Sequence, residues 1–462
     1  MKLKQEMKRY AKKVKGKLTT VFAPEHIEAL ARQSDFIQRS SSKLTGKDFV
    51  ELMTTEMIEE PAVSLAGLCD LLGHLNPQAQ MTPQALHQRI NTYAASYLQD
   101  VFQLALRQQL EPVCARLPVG ALAPFGRVLL EDSTQCRLHE KLAETFKGSG
   151  GSASTSAVKI DLIYDVMHHA LLEMHLSDGK AADQGRALAI VAHLRAGALV
   201  MRDLGSVSVE SLRQIEAHEA WDLSRCSKGV DVCLEAHAEA RALALGPSLQ
   251  PHSPDDAVVD RSVDIGQERV PCRLRASRLP EDVAQQRRRT ALEEARKQGR
   301  TLTQASLDWL TCGFSITHVP QQVWSAKVVG TVYRLRWQVE LTLKHWQSLR
   351  HLHGLKGTRP ERIKCILYGR LMTITMLTRM SSYASWYAED SLQRDISVPK
   401  LIHGLKRTGR FAKAIHVGPL DALFSDLRRA LPTLLCQQTR RRRTSRQLIE
   451  EYGHSMEDAL AA

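Results

Sequence analysis

The stretch GRVLLEDSTQCRL, residues 126–138, is where the chain changes character. Its apolar run leads into the carboxylate Asp132, the pattern of a buried strand that Asp132 closes. Upstream, from Pro24 to about Arg107, apolar residues recur at three and four in DFVELMTTEMI and LHQRINTYAASYLQDVFQLAL, a helical period. Thr82-Pro83 supplies an N-cap and a first-turn proline. Downstream, past the hinge GSGGSASTS, VKIDLIYDV and HALLEMHL alternate as strands and end in the turn SDGK. A helix is expected from about Asp183 to His193. The short strand GALVM (197–201) then ends at Asp203-Leu204-Gly205, and Val207 to Ala217 reads as a helix. Three strands, a helix, a strand and a helix predict an α/β core.

From Trp221 to about Pro320 the period changes again. The β-like pieces RSVDIG, VPCRLRASRL and GFSITHVP surround the basic helix EDVAQQRRRTALEEARKQG, after a proline-rich loop, LALGPSLQPHSPDDA. This predicts an insertion with its own sheet. From Ser325 to about Ala384 the chain is helical, and it later carries the run Arg440 to Arg443. No repeat of 20–50 residues is present. The expected division is a helical N-terminal DNA-binding domain over 1–118, a first core segment over 119–225 and a β-rich insertion over 226–324. A second core segment with Glu340 covers 325–390, and a basic helical C-terminal region for dimerisation or DNA contact covers 391–462.

Lysine and arginine number 63 against 50 acids, a formal charge of +13 that suits a polyanionic partner, nucleic acid before anionic membrane. The first eighteen residues hold eight cations and one acid, which suits either an arm on DNA phosphates or a solvated helix start. The nine cysteines are scattered singly without zinc spacing, as in a reducing cytoplasm. No apolar run approaches the ~18 residues that span a bilayer, and the start lacks a signal-peptide core. The expectation is a soluble, cytoplasmic protein with no membrane partner.

Three carboxylates stand out. Asp132 and Asp203 follow core strands, and Glu340 lies in YRLRWQVELTLKHWQ (333–347). If the fourth strand lies beside the first, the two aspartates emerge together, and a helix crossing that edge delivers Glu340. Clustered carboxylates stay ionised only beside a cation. All-oxygen ligands favour Mg²⁺ or Mn²⁺, and two such ions activate a water and stabilise the leaving oxygen of a phosphodiester. At ~100° per residue, Tyr333, Arg336, Glu340, Lys344 and Gln347 fall within an arc of ~80°. That face offers cations and hydroxyls to a phosphate. The plainer alternatives are turn or cap aspartates and an exposed Glu340–Lys344 pair. Asp161, Asp165, Asp178 and Asp183 read as strand-face, turn or cap residues.

These motifs resemble those of cut-and-paste DDE transposases of the insertion-sequence-four family, with a ribonuclease H-like core. The family carries Tyr-x2-Arg-x3-Glu-x6-Lys around its third acid, and Tyr333, Arg336 and Glu340 match it inside YRLRWQVE. LLEDSTQCRL resembles the first-aspartate motif. GALVMRDLGSVSVESLRQIEAHEAWDLSR resembles the second-aspartate block with its downstream arginine, Arg225. RLPEDVAQQRRR and GFSITHVP resemble the family's insertion, and SDFIQRSSSKLTGKDFVELM its leading helical domain. The resemblance covers about residues 24–380. Two departures stand out: Gln347 replaces the final lysine, with Lys344 one turn earlier, and Asp203 is followed by Leu204, Gly205 and Ser206 instead of arginine, glycine and an aromatic.

The resemblance implies a mixed sheet with flanking helices, interrupted by the insertion. It implies that Asp132, Asp203 and Glu340 hold two Mg²⁺ ions, with Mn²⁺ a substitute. The reaction it implies is nicking at each transposon end, hairpin formation, hairpin opening and strand transfer to target DNA. Tyr333, Arg336, Lys344 and Gln347 would face the DNA, with Arg225, Arg287, Arg288, Arg440 and Arg441 as further backbone contacts. Trp309 or Phe314 would stack on a flipped base, or serve as core aromatics. The implied partners are terminal inverted repeats, target DNA and a second copy of the chain in a synaptic complex at the bacterial nucleoid. The alternatives are a metal-dependent structure-specific nuclease of the same fold and a non-catalytic DNA-binding relative.

Overall fold

A computed structural model describes residues 22–59, 64–107, 120–203, 208–234, 258–333 with Arg336, 355–407 and 420–436, apart from short gaps. The chain forms two compact units. The first comprises Met1–Leu117, Ser133–Ala181 and Glu340–Arg440, and the second Pro118–Asp132, Ala182–Val339 and Arg441–Ala462.

In the first unit the helical period of the N-terminal sequence becomes α1 (Pro24–Gln33), α2 (Gly46–Glu59), α3 (Leu65–Leu75), α4 (Pro83–Arg89) and α5 (Thr92–Arg107). Thr82 caps α4, accepting from the Ala85 N–H, with proline at the first turn as expected. Helix α9 (Pro360–Leu392) packs on α2 and α5 and is buried along most of its length. Its hydroxyls survive burial because Thr373, Thr375, Thr378 and Ser382 each donate to the carbonyl four residues back. The predicted strands form the antiparallel hairpin β2 (Ala157–Asp165) and β3 (Ala170–Asp178). Asp161 pairs with Lys159 and accepts from Ser177, while buried Asp165 faces the His168 ring at 2.9 Å. Helices α10 (Val398–Arg407) and α11 (Leu420–Ala430) follow.

Strand β1 (Arg127–Arg137) begins in the second unit and ends in the first. It runs five residues past Asp132, so the aspartate does not close the strand as its sequence suggested. What stops short is the parallel ladder with β4 (Ala198–Arg202), whose last register pair is Leu130 with Met201. The expected helix over 183–193 is two 3₁₀ turns, Asp183–Arg186 and Ala189–His193, and Gly185 lies in the first of them. Helix α6 (Val209–Ala217) starts from a reciprocal Ser208–Ser211 cap.

In the second unit the sheet runs β1-β4-β5-β9-β8-β7-β6. Here β5 is Trp221–Arg225, β6 Val232–Leu234, β7 Val258–Ile265, β8 Val270–Arg278 and β9 Cys312–Thr317. The strands expected to form an insertion with its own sheet therefore join the core sheet instead. Strand β9 pairs antiparallel with β5 and extends the core sheet, because β5 would otherwise present an open edge. Alternate residues of β8 (Cys272, Leu274, Ala276) enter a core with Val263, Phe314 and Ile316, while Arg273, Arg275 and Ser277 occupy the other face. Helices α7 (Glu281–Lys297) and α8 (Gln304–Trp309) separate β8 from β9. Among the described residues no helix is long and apolar enough to cross a membrane, and the cysteines are free and buried.

Candidate active site

Three parallel strands bring their ends together. Leu130 of β1 pairs with Met201 of β4, which pairs with Leu223 of β5, and Arg202 pairs with Ser224. Asp132 and Asp203 thus stand two residues beyond one register pair, and Arg225 stands one residue beyond another. Neighbouring strands lie ~4.8 Å apart, so the register puts two carboxylates and a guanidinium side by side at one sheet edge. Carboxyl ends of parallel strands are where α/β sheets gather ligands.

Beneath that edge the backbone is pinned by a network that sequence reading missed. Arg202, 0% exposed, donates from Nε and Nη2 to Oδ1 of Asp222, also 0% exposed, at 3.2 and 2.8 Å. Its Nη1 donates to Ser211 Oγ at 2.8 Å, and Ser224 Oγ donates to the second Asp222 oxygen at 2.8 Å. Both ends of the connection that follows Asp203 are thereby tied down, one through Arg202 and the other through the α6 cap. The only signal in the sequence was an arginine directly after an apolar run and an aspartate inside WDLSR.

Residues 326–333 form a helix that reaches the same edge. Tyr333 donates from its hydroxyl to Asp203 Oδ1 at 3.4 Å, and Arg336 Nη2 lies 3.5 Å from Oδ2. The Arg336 guanidinium sits 5.7 Å from the Tyr333 ring centroid, a cation–π contact. Burial, then the Asp203 charge, pushes the Tyr333 phenol up to about 12, with Arg336 and Arg225 opposing. Asp203 keeps 43% of its side-chain surface exposed, so the cluster is open to a ligand. Arg287 on α7 is pushed down by burial and then by the nearby Arg225 charge, so it belongs to the same cationic field. Arg288, 35% exposed, donates to the Leu307 carbonyl at 3.2 Å and faces Asp308.

The structure thus brings Tyr333 and Arg336 onto Asp203 with Arg225 near them, and places Asp132 two residues beyond the last β1–β4 register pair. Glu340, Lys344, Gln347, Arg440 and Arg441 lie outside the described residues. Phe314 is only 3% exposed and stacks on Trp309 at 3.9 Å, so Phe314 is spent on the core and Trp309, half-buried, keeps some open surface. Among the described residues no group of three histidines, cysteines or acids forms a metal cluster. Carboxylates at neighbouring strand positions suit a hard divalent cation, an oxygen-seeking ion.

Comparison with known proteins agrees with this chemistry. The chain is similar to the transposase for insertion sequence element IS231F of Bacillus thuringiensis subsp. israelensis, 26% identical over 390 residues, covering 81% of this chain and 80% of that protein. It is similar to the transposase for insertion sequence element IS1151 of Clostridium perfringens, at 24% over 372 residues and 77% of each chain. A shorter match, 34% over 107 residues, covers 23% of this chain and 29% of the putative transposase InsL for insertion sequence element IS186A of Escherichia coli (strain K12). The family model "Transposase DDE domain" matches residues 123–376, which hold both aspartates and the Tyr333 helix and make up more than half of the chain. The chain therefore belongs to the DDE transposase family, enzymes whose chemistry depends on divalent metal.

Proposed function

We propose that the chain excises an insertion sequence and joins it to target DNA, using Asp132, Asp203 and Glu340 as its acidic triad on a ribonuclease H-like core. The observation that carries this reading is that Asp132 and Asp203 each stand two residues beyond Leu130–Met201, the last register pair of the parallel β1–β4 ladder. The antiparallel β2–β3 hairpin and the parallel β4–β5 pair support the core assignment. The three acids are the residues that would hold two Mg²⁺ ions, with Mn²⁺ a substitute; bound there, such ions activate the attacking oxygen and stabilise the leaving one.

The chain's own groups do the rest. Arg336 and Tyr333 hold Asp203 in place and, with Arg225 and Arg287, present positive charge to a phosphodiester. Arg288, Arg440, Arg441, Lys344 and Gln347 are proposed to extend this surface along the DNA, and Trp309 to stack on an extruded base. Segment 1–118 is proposed as a DNA-binding domain and 391–462 as a site of dimerisation in a synaptic complex of paired element ends at the nucleoid.

Labelled element ends incubated with the full chain and Mg²⁺ test this. Nicked, hairpin and strand-transfer products are expected, and Asp132→Ala should abolish all three while still binding the ends. Nicking without joining would indicate a structure-specific nuclease. Binding with no cleavage by the wild-type chain would leave a DNA-binding relative.

A further inference from the structure

The polar face of β8 does a second job. Arg273 donates from Nη1 to the Val319 carbonyl at 2.9 Å while its Nε and Nη2 grip Asp260 at 2.7 and 2.6 Å. Two residues on, Arg275 donates from Nε to the Ala326 carbonyl at 2.7 Å and from Nη1 to Ser277 Oγ at 3.0 Å. Both arginines thus brace the segment that leads from β9 into helix 326–333. Trp324, fully buried, anchors the same segment by donating from Nε1 to the Ala121 carbonyl at 2.7 Å.

Gly330 shows how close the brace comes. A Cβ added there would lie 2.6 Å from Nη2 and 2.7 Å from Cζ of Arg275, so the guanidinium rests on bare helix backbone. Glycine inside a helix is less favourable than alanine, a cost that this seat for the guanidinium accounts for. Three residues farther along, Tyr333 meets Asp203, and Arg336 follows.

We propose that Arg275 is a positioning residue for the Asp203 centre: seated on Gly330, it sets the height and rotation of the helix that carries Tyr333 and Arg336. This rests on the reading of that centre as the DNA-cleaving site, and it makes strand β8 of the insertion part of the cleaving machinery. Arg275 acts through the helix and not by touching DNA, because two of its guanidinium nitrogens are committed to Ala326 and Ser277.

The test is a double-mutant cycle in the full chain, with nicking of labelled element ends as the first readout. Gly330→Ala and Arg275→Ala should each slow the first nick about tenfold through misplacement of the helix. Together they should cost no more than either alone, because the added methyl has no guanidinium left to displace. Multiplying losses, or a Gly330→Ala chain that nicks at the wild-type rate, would overturn the proposal. Amide exchange over residues 326–333 in the free protein is the second readout. It should quicken in Gly330→Ala even though alanine favours helix. Unchanged exchange overturns the brace whatever the DNA result, whereas failure of the wild-type chain to nick counts against the function alone. If Arg275→Ala does not fold, Arg275→Lys, which removes the flat guanidinium, replaces it and should likewise tolerate alanine at 330.

Discussion

Arg202 and Asp222 form an ion pair with no exposed surface, one residue before Asp203 and three before Arg225. Arg202 reaches across from β4 to β5 and, through Ser211, to the first turn of α6. The pair therefore ties together the elements that deliver the candidate site. Its desolvation is offset only while both partners and their hydroxyl neighbours remain.

Removing one partner should be far worse than removing both. Arg202→Met or Asp222→Leu alone should lower stability by about 3–5 kcal/mol, because a charge is left buried without its counter-ion. The double substitution should lie within about 1 kcal/mol of wild type. Urea denaturation measures all three, and equal losses in single and double variants would refute the account.

Asp203→Asn preserves shape and removes charge. Nicking should fall by a factor of about 10³ or more if Asp203 is a metal ligand, with little change in affinity for element ends. Fluorescence anisotropy on a labelled duplex separates the two effects. Parallel loss of binding would point to a role in folding instead.

Tyr333 should mark the alkaline limit of stability. Its phenol, raised to about 12 by burial and by Asp203, is neutral in the folded protein where the unfolded chain, near pKa 10, is already ionised. The stability it contributes is complete below about pH 10 and is lost as pH rises through about 12. Denaturation midpoints followed over that window should decline less steeply in Tyr333→Phe than in wild type. Superimposable curves would remove Tyr333 from the alkaline transition.

Two helix glycines should respond in opposite directions to alanine. A Cβ on Gly369 of α9 would lie 2.5 Å from the Met53 carbonyl oxygen and 3.1 Å from its carbon, so Gly369→Ala forces α2 and α9 apart. A loss of about 1–3 kcal/mol is expected from that overpacking. Gly73 of α3 meets nothing nearer than 3.8 Å. Gly73→Ala should stabilise by about 0.5–1 kcal/mol through helix propensity alone. Thermal unfolding distinguishes the signs.

Much of the second unit was legible where local pattern carries the information. Val128 to Leu130 and Ala198 to Met201 read as strands because buried parallel strands are short apolar runs. In the first unit, β2 and β3 read as strands from their alternation. WDLSR did not read as a strand, because three of its five residues are polar, and Asp222 and Ser224 are buried only because they bond with Arg202 and with each other. The helix phase around Tyr333 placed it with Arg336 on one face, and both do converge on Asp203. Gly330, inside that helix, carried no legible reason until Arg275 was seen to rest on it.

By itself the sequence determined many of the strands and helices, and which acids and cations are available near their ends. Periodicity and capping are properties of neighbouring residues, so they survive without a fold. Tertiary structure alone decided that β4 lies beside β1, that β9 closes onto β5 and that Arg202 and Arg275 are spent inside the protein. Those outcomes depend on partners 20 to more than 90 residues away, and a buried charge is tolerable only once such a partner is in place.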